Sequence, residues 1–325
     1  QILNEAVKAA DPNVNFNNYG RIIVMFPGIS VCYYGGVATL GKGTVITNDG
    51  TISASTVWIN SNYLILSTIG HEFGHNLGLL HARDFDCGSE ILTSDNSGCE
   101  TYEYGDFMDI MGASGDAGHI NASYKNKLGW FDPANVITLE TSQDTGIYTI
   151  EPLENFSSGV QLIRVLRGLD SLNRPNYYNI EYRRPIGQDS FLSYYPNSIN
   201  GALIRWDWDT PAFYASNTHL LDMTPNSDTS PCSITWCGDF FDGSLKIGTT
   251  FTDPTGIEVT TVAMDSSSLT VHVHVPQPLS VMITDPPQGA FIRGVYNLTA
   301  GIIPDRTINS MYFLADGFWL GMDMD

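Results

Sequence analysis

Between His71 and His81 the chain reads His71-Glu72-Phe73-Gly74-His75-Asn76-Leu77-Gly78-Leu79-Leu80-His81, the pattern H-E-x-x-H-x-x-G-x-x-H. It demands a helix that stops. His71 and His75 are four apart, so on a helix they project from one face and can share one ion. A helix continued past Gly78 would carry His81 away from that face. Glycine accepts the left-handed conformation that ends a helix, so Gly78 lets the chain turn and bring His81 back. Three neutral imidazoles leave a fourth tetrahedral position open, the arrangement of a catalytic rather than a structural Zn2+ site. Glu72, one residue round from His71, is poorly placed to ligate and suits a general base acting on a metal-bound water. The competing reading is a surface helix with scattered histidines. Three of the chain's seven histidines fall in this window in the required order, which counts against it.

The flanking segments are placed by their patterns. Leu3, Ala6, Val7 and Ala10 recur at helical spacing over residues 1–14, stopped by Asp11-Pro12. Arg21 to Phe26 reads as a buried strand and Cys32 to Leu40 as another, whose glycines suit an exposed strand approached closely by another backbone. Ser61 or Asn62 is positioned to cap the histidine-bearing helix, which would run to about Leu77. From His81 to Gly112, the acids Asp84, Asp86, Glu90, Asp95, Glu100, Glu103, Asp106 and Asp109 face one base, Arg83. This stretch reads either as a Ca2+ site or as a solvated acidic loop. Asp84 or Asp86 could instead hydrogen-bond a ligand histidine from behind. Asn121 to Trp130 reads as a further helix. His119 before it reads as a satisfied structural histidine, with a place in a specificity pocket as the alternative.

After Pro133 the texture changes. Runs at 146–150, 160–165, 177–182, 202–206 and 268–275 alternate with period two and are separated by turn residues, as in an antiparallel β-sandwich. His272 and His274 share one strand face and read as outward polar positions. Pro276 to Pro278 looks like a linker. N-x-S/T sequons stand at Asn121, Asn155 and Asn297, close to chance in a chain this rich in asparagine and serine.

Together these features resemble the metzincin proteases, and within them the gametolysin-type metalloproteases and their bacterial secreted relatives. The resemblance is carried by Gly35-Gly36-Val37-Ala38, Val57-Trp58-Ile59-Asn60, His71 to Ala82, Glu103-Tyr104-Gly105-Asp106 with Asp109-Ile110-Met111-Gly112, and Lys127-Leu128-Gly129-Trp130. It is specific over roughly residues 15 to 130 and looser in the β-rich region beyond. It implies a methionine turn beneath the zinc, for which Met111 is the candidate because Gly112 follows it. Met108 lacks that glycine. It also implies an edge strand that pairs with substrate, by strand addition. Where some metzincins place a tyrosine two residues after the methionine, this chain has Ala113. Ile283 to Gly289 opens what resembles part of a bacterial Ig-like module. The fold expected is α+β: a metzincin-like catalytic domain over 1–135 with a twisted sheet and zinc helix, an all-β sandwich over 136–276, and an incomplete Ig-like β module over 277–325.

Composition narrows the function. The net charge is -20, with 35 acids against 15 bases, which disfavours nucleic acid and anionic membrane surfaces. No run is long enough to span a membrane. No signal peptide opens the chain, so Gln1 is expected to follow removed targeting or pro-segments. Cys87 with Cys99, and Cys232 with Cys237, bracket short loops and read as disulfides of an oxidising compartment, while Cys32 reads as a small buried residue. The expectation is a secreted zinc endopeptidase. His71, His75 and His81 would hold Zn2+, Glu72 would be the base, Gly78 and Met111 would shape the site, and proteins or peptides would be the substrate. Glycoprotein or cell-surface targets fit the resemblance. The rival is a non-catalytic adhesin or carbohydrate-binding protein with a structural zinc, against which an intact Glu72 counts.

Overall fold

The structure is a computed structural model describing residues 2–28, 34–113, 116–170, 172–209, 217–225, 227, 239–277, 280–287, 289–294, 296–303, 311–315 and 318–323. It divides into two units, Gln1–Val275 and Pro276–Asp325.

The first unit opens with α1 (Ile2–Ala10), whose Val7 is buried with Phe16, Val45 and Ala54, Leu3 and Ala10 packing alongside. Four strands follow: β1 (Arg21–Phe26), β2 (Gly36–Ala38), β3 (Gly43–Thr47) and β4 (Gly50–Asn60). β4 is the axis of their sheet. β1 pairs with it in parallel, β2 antiparallel, and β3 forms a hairpin with its first half. The expectation of a buried strand at 21–26 is met on one face only. β1 is an edge, so Val24 and Phe26 are buried while Ile23 and Met25 face outward. β2 is the opposite edge.

Next comes α2 (Leu66–Asn76), packed on β2 and β4. Neither Ser61 nor Asn62 caps it. Ser61–Tyr63 form a separate 3-10 turn capped by the Asn60 side chain, and α2 starts after Ile65 with no side-chain cap. β5 (Ala82–Phe85) and α3 (Ala122–Lys127) follow, the latter capped by Asn121, whose Oδ1 accepts from Tyr124 N at 2.9 Å. Asn121 is fully buried and its Nδ2 donates to Thr218 Oγ1, so that sequon is no glycan acceptor in the folded chain.

The remaining strands are β6 (Val136–Leu139), β7 (Gly146–Ile150), β8 (Leu162–Leu169), β9 (Pro175–Glu181), β10 (Gly201–Trp208), β11 (Thr218–Leu221), β12 (Leu245–Lys246), β13 (Thr250–Thr252), β14 (Glu258–Met264) and β15 (Leu269–His274). They form two sheets, β5-β11-β10-β9-β8-β6 with β12 on β10, and β13-β14-β15-β7. One apolar cluster holds inward side chains of both, among them Ile163, Ile180, Ile204, Val259, Val271 and Phe251. The smaller sheet is antiparallel as expected. The larger is mixed, because β6 runs parallel to β8 and β5 parallel to β11. β5 therefore joins residues before position 135 to the sheet built after it. His272 and His274 lie on the half-buried face of β15 opposite the buried Val271 and Val273. The second unit contains two antiparallel pairs, β16 (Ser280–Asp285) with β17 (Thr299–Ile303) and β18 (Met311–Ala315) with β19 (Phe318–Asp323). Among the described residues no helix is long and apolar enough to cross a membrane. Cys32, Cys232 and Cys237 lie outside the described residues.

Candidate metal centre

The end of α2 is what brings the three histidines together. Gly78 has φ +96°, its N–H donates to His75 O (2.9 Å), and Leu79 N donates to Gly74 O (3.0 Å). That pair of bonds is the Schellman termination, with glycine at the left-handed position. The same turn orients a ligand, since Leu79 O lies 2.8 Å from His75 Nδ1. Beyond it the chain returns with His81, as the sequence pattern requires.

Each imidazole is held from behind. His71 Nδ1 lies 2.7 Å from Ile110 O, His75 Nδ1 2.8 Å from Leu79 O, and His81 Nδ1 2.9 Å from Glu103 Oε1. All three partners are acceptors, so the Nδ1 atoms carry the protons and the Nε2 lone pairs are left to face one another. Nε2 of His75 and His81 are only 3.1 Å apart, and the three potential ligand atoms lie within 4.8 Å. Tetrahedral zinc at ordinary Zn–N lengths would set such nitrogens ~3.3 Å apart. Two lone pairs at this distance repel, so the residues fit a cation between them. Burial lowers the His71 pKa to about 4, and burial likewise lowers His75 and His81. The rings are therefore neutral, as ligands must be.

Glu72 is buried and its carboxyl is pushed up to about 7 by burial. It packs against β2, where a Cβ on Gly36 would come within 2.6 Å of Glu72 Cγ and Oε1. The glycines read as leaving room for another backbone thus make room for side chains: Glu72 at Gly36, and the Tyr63 ring at Gly35. A cation beside Glu72 would favour its ionised form.

Met111 and Met108 are both fully buried, but in different places. Met111 clusters with Leu79, Ala82 and Tyr124 under α2, whereas Met108 joins Phe191, Leu192 and Phe240. A Cβ on Gly74 would fall 2.1 Å from Met111 Sδ, and one on Gly70 2.4 Å from Ile110 Cδ1. Gly70 and Gly74, one helical turn apart, form the groove that seats the 110–111 segment. This groove was not read from the sequence, although the i, i+4 glycine pair signals a close approach.

The partner of His81 was also missed. Asp84 and Asp86 do not serve it: Asp84 Oδ1 accepts from Tyr102 N (2.7 Å) and Asp86 Oδ1 from Gly88 N (2.7 Å). Glu103 takes that place from 22 residues away, beyond the Cys99 end of the Cys87–Cys99 disulfide. The acids of this stretch are dispersed. Asp106 binds Arg205, and Asp109 accepts from Met111 N and Asn121 N. Among the described residues the only group of three or more His, Cys, Asp or Glu placed to share an ion is the histidine triad, so the Ca2+ reading finds no ligand set there. His119 is structural: its N–H donates to Asp189 and its Nδ1 lies 3.2 Å from Lys125 Nζ. Removing Glu103 leaves His81 without its orienting carboxylate. Glu103→Ala is expected to weaken metal binding by roughly 10–100-fold, measurable by competition titration against a chelator.

The profile of the family described as gametolysin peptidase M11 matches residues 2–200. The chain belongs to that family. The match runs through α3, β8 and β9, so the family region includes strands of the larger sheet as well as the histidine centre. No curated protein and no solved structure matches the chain. This gametolysin-type peptidase is a metallopeptidase with a histidine triad able to hold its metal, zinc being typical of such sites.

Proposed function

We propose that the peptidase is a secreted, zinc-dependent endopeptidase of metzincin type, acting on extracellular proteins. The observation that carries this reading is the convergence of three Nε2 atoms whose Nδ1 partners are all acceptors. Zinc bound there supplies a Lewis acid that acidifies water and polarises a carbonyl. His71, His75 and His81 would be its ligands. Glu72, buried beside them and seated against Gly36, takes a proton from the attacking water and passes it to the leaving nitrogen. Met111, seated beneath Gly74, acts as the floor of the ligand cluster. Among the described residues β2 is an edge strand beside Glu72, so its outer backbone groups suit an extended substrate added antiparallel or parallel to it. The disulfide of the 87–99 loop supports an extracellular setting.

The test is cleavage of a peptide library by the zinc-loaded chain with and without a chelator. Cleavage that disappears on chelation and returns with Zn2+ is the expected result. A zinc-replete chain that cuts nothing would remove the endopeptidase reading and favour a binding role.

A further inference from the structure

Among the described residues, the side chains that form the centre are rich in hydrogen-bond acceptors and short of donors. The Nδ1 protons of all three histidines are spent on Ile110 O, Leu79 O and Glu103, and their Nε2 atoms face the centre. Glu72 must accept a proton to be of use. Arg83, the cation nearest in sequence, donates to Thr101 Oγ1 at 3.4 Å. Hydrolysis of an amide, however, places growing negative charge on the carbonyl oxygen, which is stabilised best by a fixed donor in a partly dry site.

Among the described residues, the side chain of Tyr104 is placed to meet that need. The Tyr104 ring lies 4.1 Å from the His81 ring, centroid to centroid, with a 39° tilt, and 5.8 Å from the His71 ring. It thus covers two of the three ligands at the rim. It is 43% exposed, open to an incoming chain, and among the described residues no hydrogen bond engages its hydroxyl. We propose that Tyr104 is a catalytic residue whose phenol donates a hydrogen bond to the scissile carbonyl oxygen as water adds to it. Resting on the peptidase reading above, this assigns the donor that the ligand histidines and Glu72 cannot provide. No bond to Tyr104 forms or breaks, and the phenol keeps its proton throughout. Burial raises its pKa above the ordinary tyrosine value, and Glu103 and Glu72 raise it further, so it stays a donor at neutral pH.

The experiment is Tyr104→Phe in the full zinc-loaded chain, which keeps the stacked ring and removes only the hydroxyl. The expected result is a kcat lowered roughly 10²-fold with KM and zinc content unchanged. Affinity for a phosphinic peptide, whose tetrahedral anionic oxygen mimics the adduct, should fall in parallel, read by calorimetry. Affinity for an uncleaved product peptide should not move. Wild-type kcat and phosphinate affinity in Tyr104→Phe would overturn the assignment, as would a loss that merely tracks loss of zinc. A wild-type chain that cleaves nothing overturns the peptidase reading and this assignment with it. An active wild type matched by Tyr104→Phe overturns this one alone.

Discussion

Glu72→Gln is expected to lower kcat by on the order of 10²–10⁴-fold while leaving the metal content of the protein intact. Glutamine has nearly the shape of glutamate, and shape matters at this position. The side chain is buried and fills the space left by Gly36, so an alanine would open a void, whereas glutamine keeps the contact. What glutamine lacks is a basic oxygen able to carry a proton at neutral pH. The three histidines do not depend on Glu72 for their orientation, because their Nδ1 atoms are held by Ile110 O, Leu79 O and Glu103. Turnover and metal binding should therefore separate in this variant. Steady-state cleavage and atomic absorption on the same preparation read both quantities. Wild-type hydrolysis by Glu72→Gln would take Glu72 out of the proton transfer.

What could be read from the chain is what is local. His71, His75, Glu72 and Gly78 lie within one helix and its terminating turn, so spacing alone dictated their arrangement. The period-two runs around 146–150, 175–181 and 269–274 became strands because alternation is a property of the strand itself. The misses are contacts between distant segments. Glu103 reaches His81 across 22 positions, and no local pattern marks which of eight acids will do so. β9 shows the limit most plainly. Its polar residues suggest an outward face, yet Asn179 and Glu181 are buried as deeply as Ile180. The reason is that α3 packs on β9, with Glu181 Oε2 accepting from Ala122 N at 2.6 Å, while the smaller sheet's core lies on the other side. Alternation reports the pleat of a strand, but not what later covers each face.

That covering supports the last expectation: Arg205→Met should destabilise the first unit by about 3–5 kcal/mol. Arg205 on β10 is 1% exposed and its Nε donates to Asp106 Oδ2 at 2.6 Å. Its Nη1 also lies 2.6 Å from Glu181 Oε1, close in distance though poorly aligned for a hydrogen bond. Glu181 keeps a second guanidinium, Arg183, at 3.3 Å, so the group orphaned by the substitution is mainly Asp106. Methionine replaces the stem of arginine but none of its charge, and a buried carboxylate without a counter-ion is costly. Asp106 also accepts from Met108 N, and its own N–H donates to Ala82 O, so the loss falls on the segment that carries Ile110 and Met111. Ile110 O orients His71, and metal affinity should drop together with the melting temperature, the latter by on the order of 10 °C. Pairing Arg205→Met with Asp106→Asn removes the stranded charge, and this double variant should lose less than the sum of the two singles. Calorimetry on the three variants measures that coupling. An Arg205→Met protein that melts and binds zinc as the wild type does would mean that the larger sheet merely sits beside the metal centre and does not hold it in place.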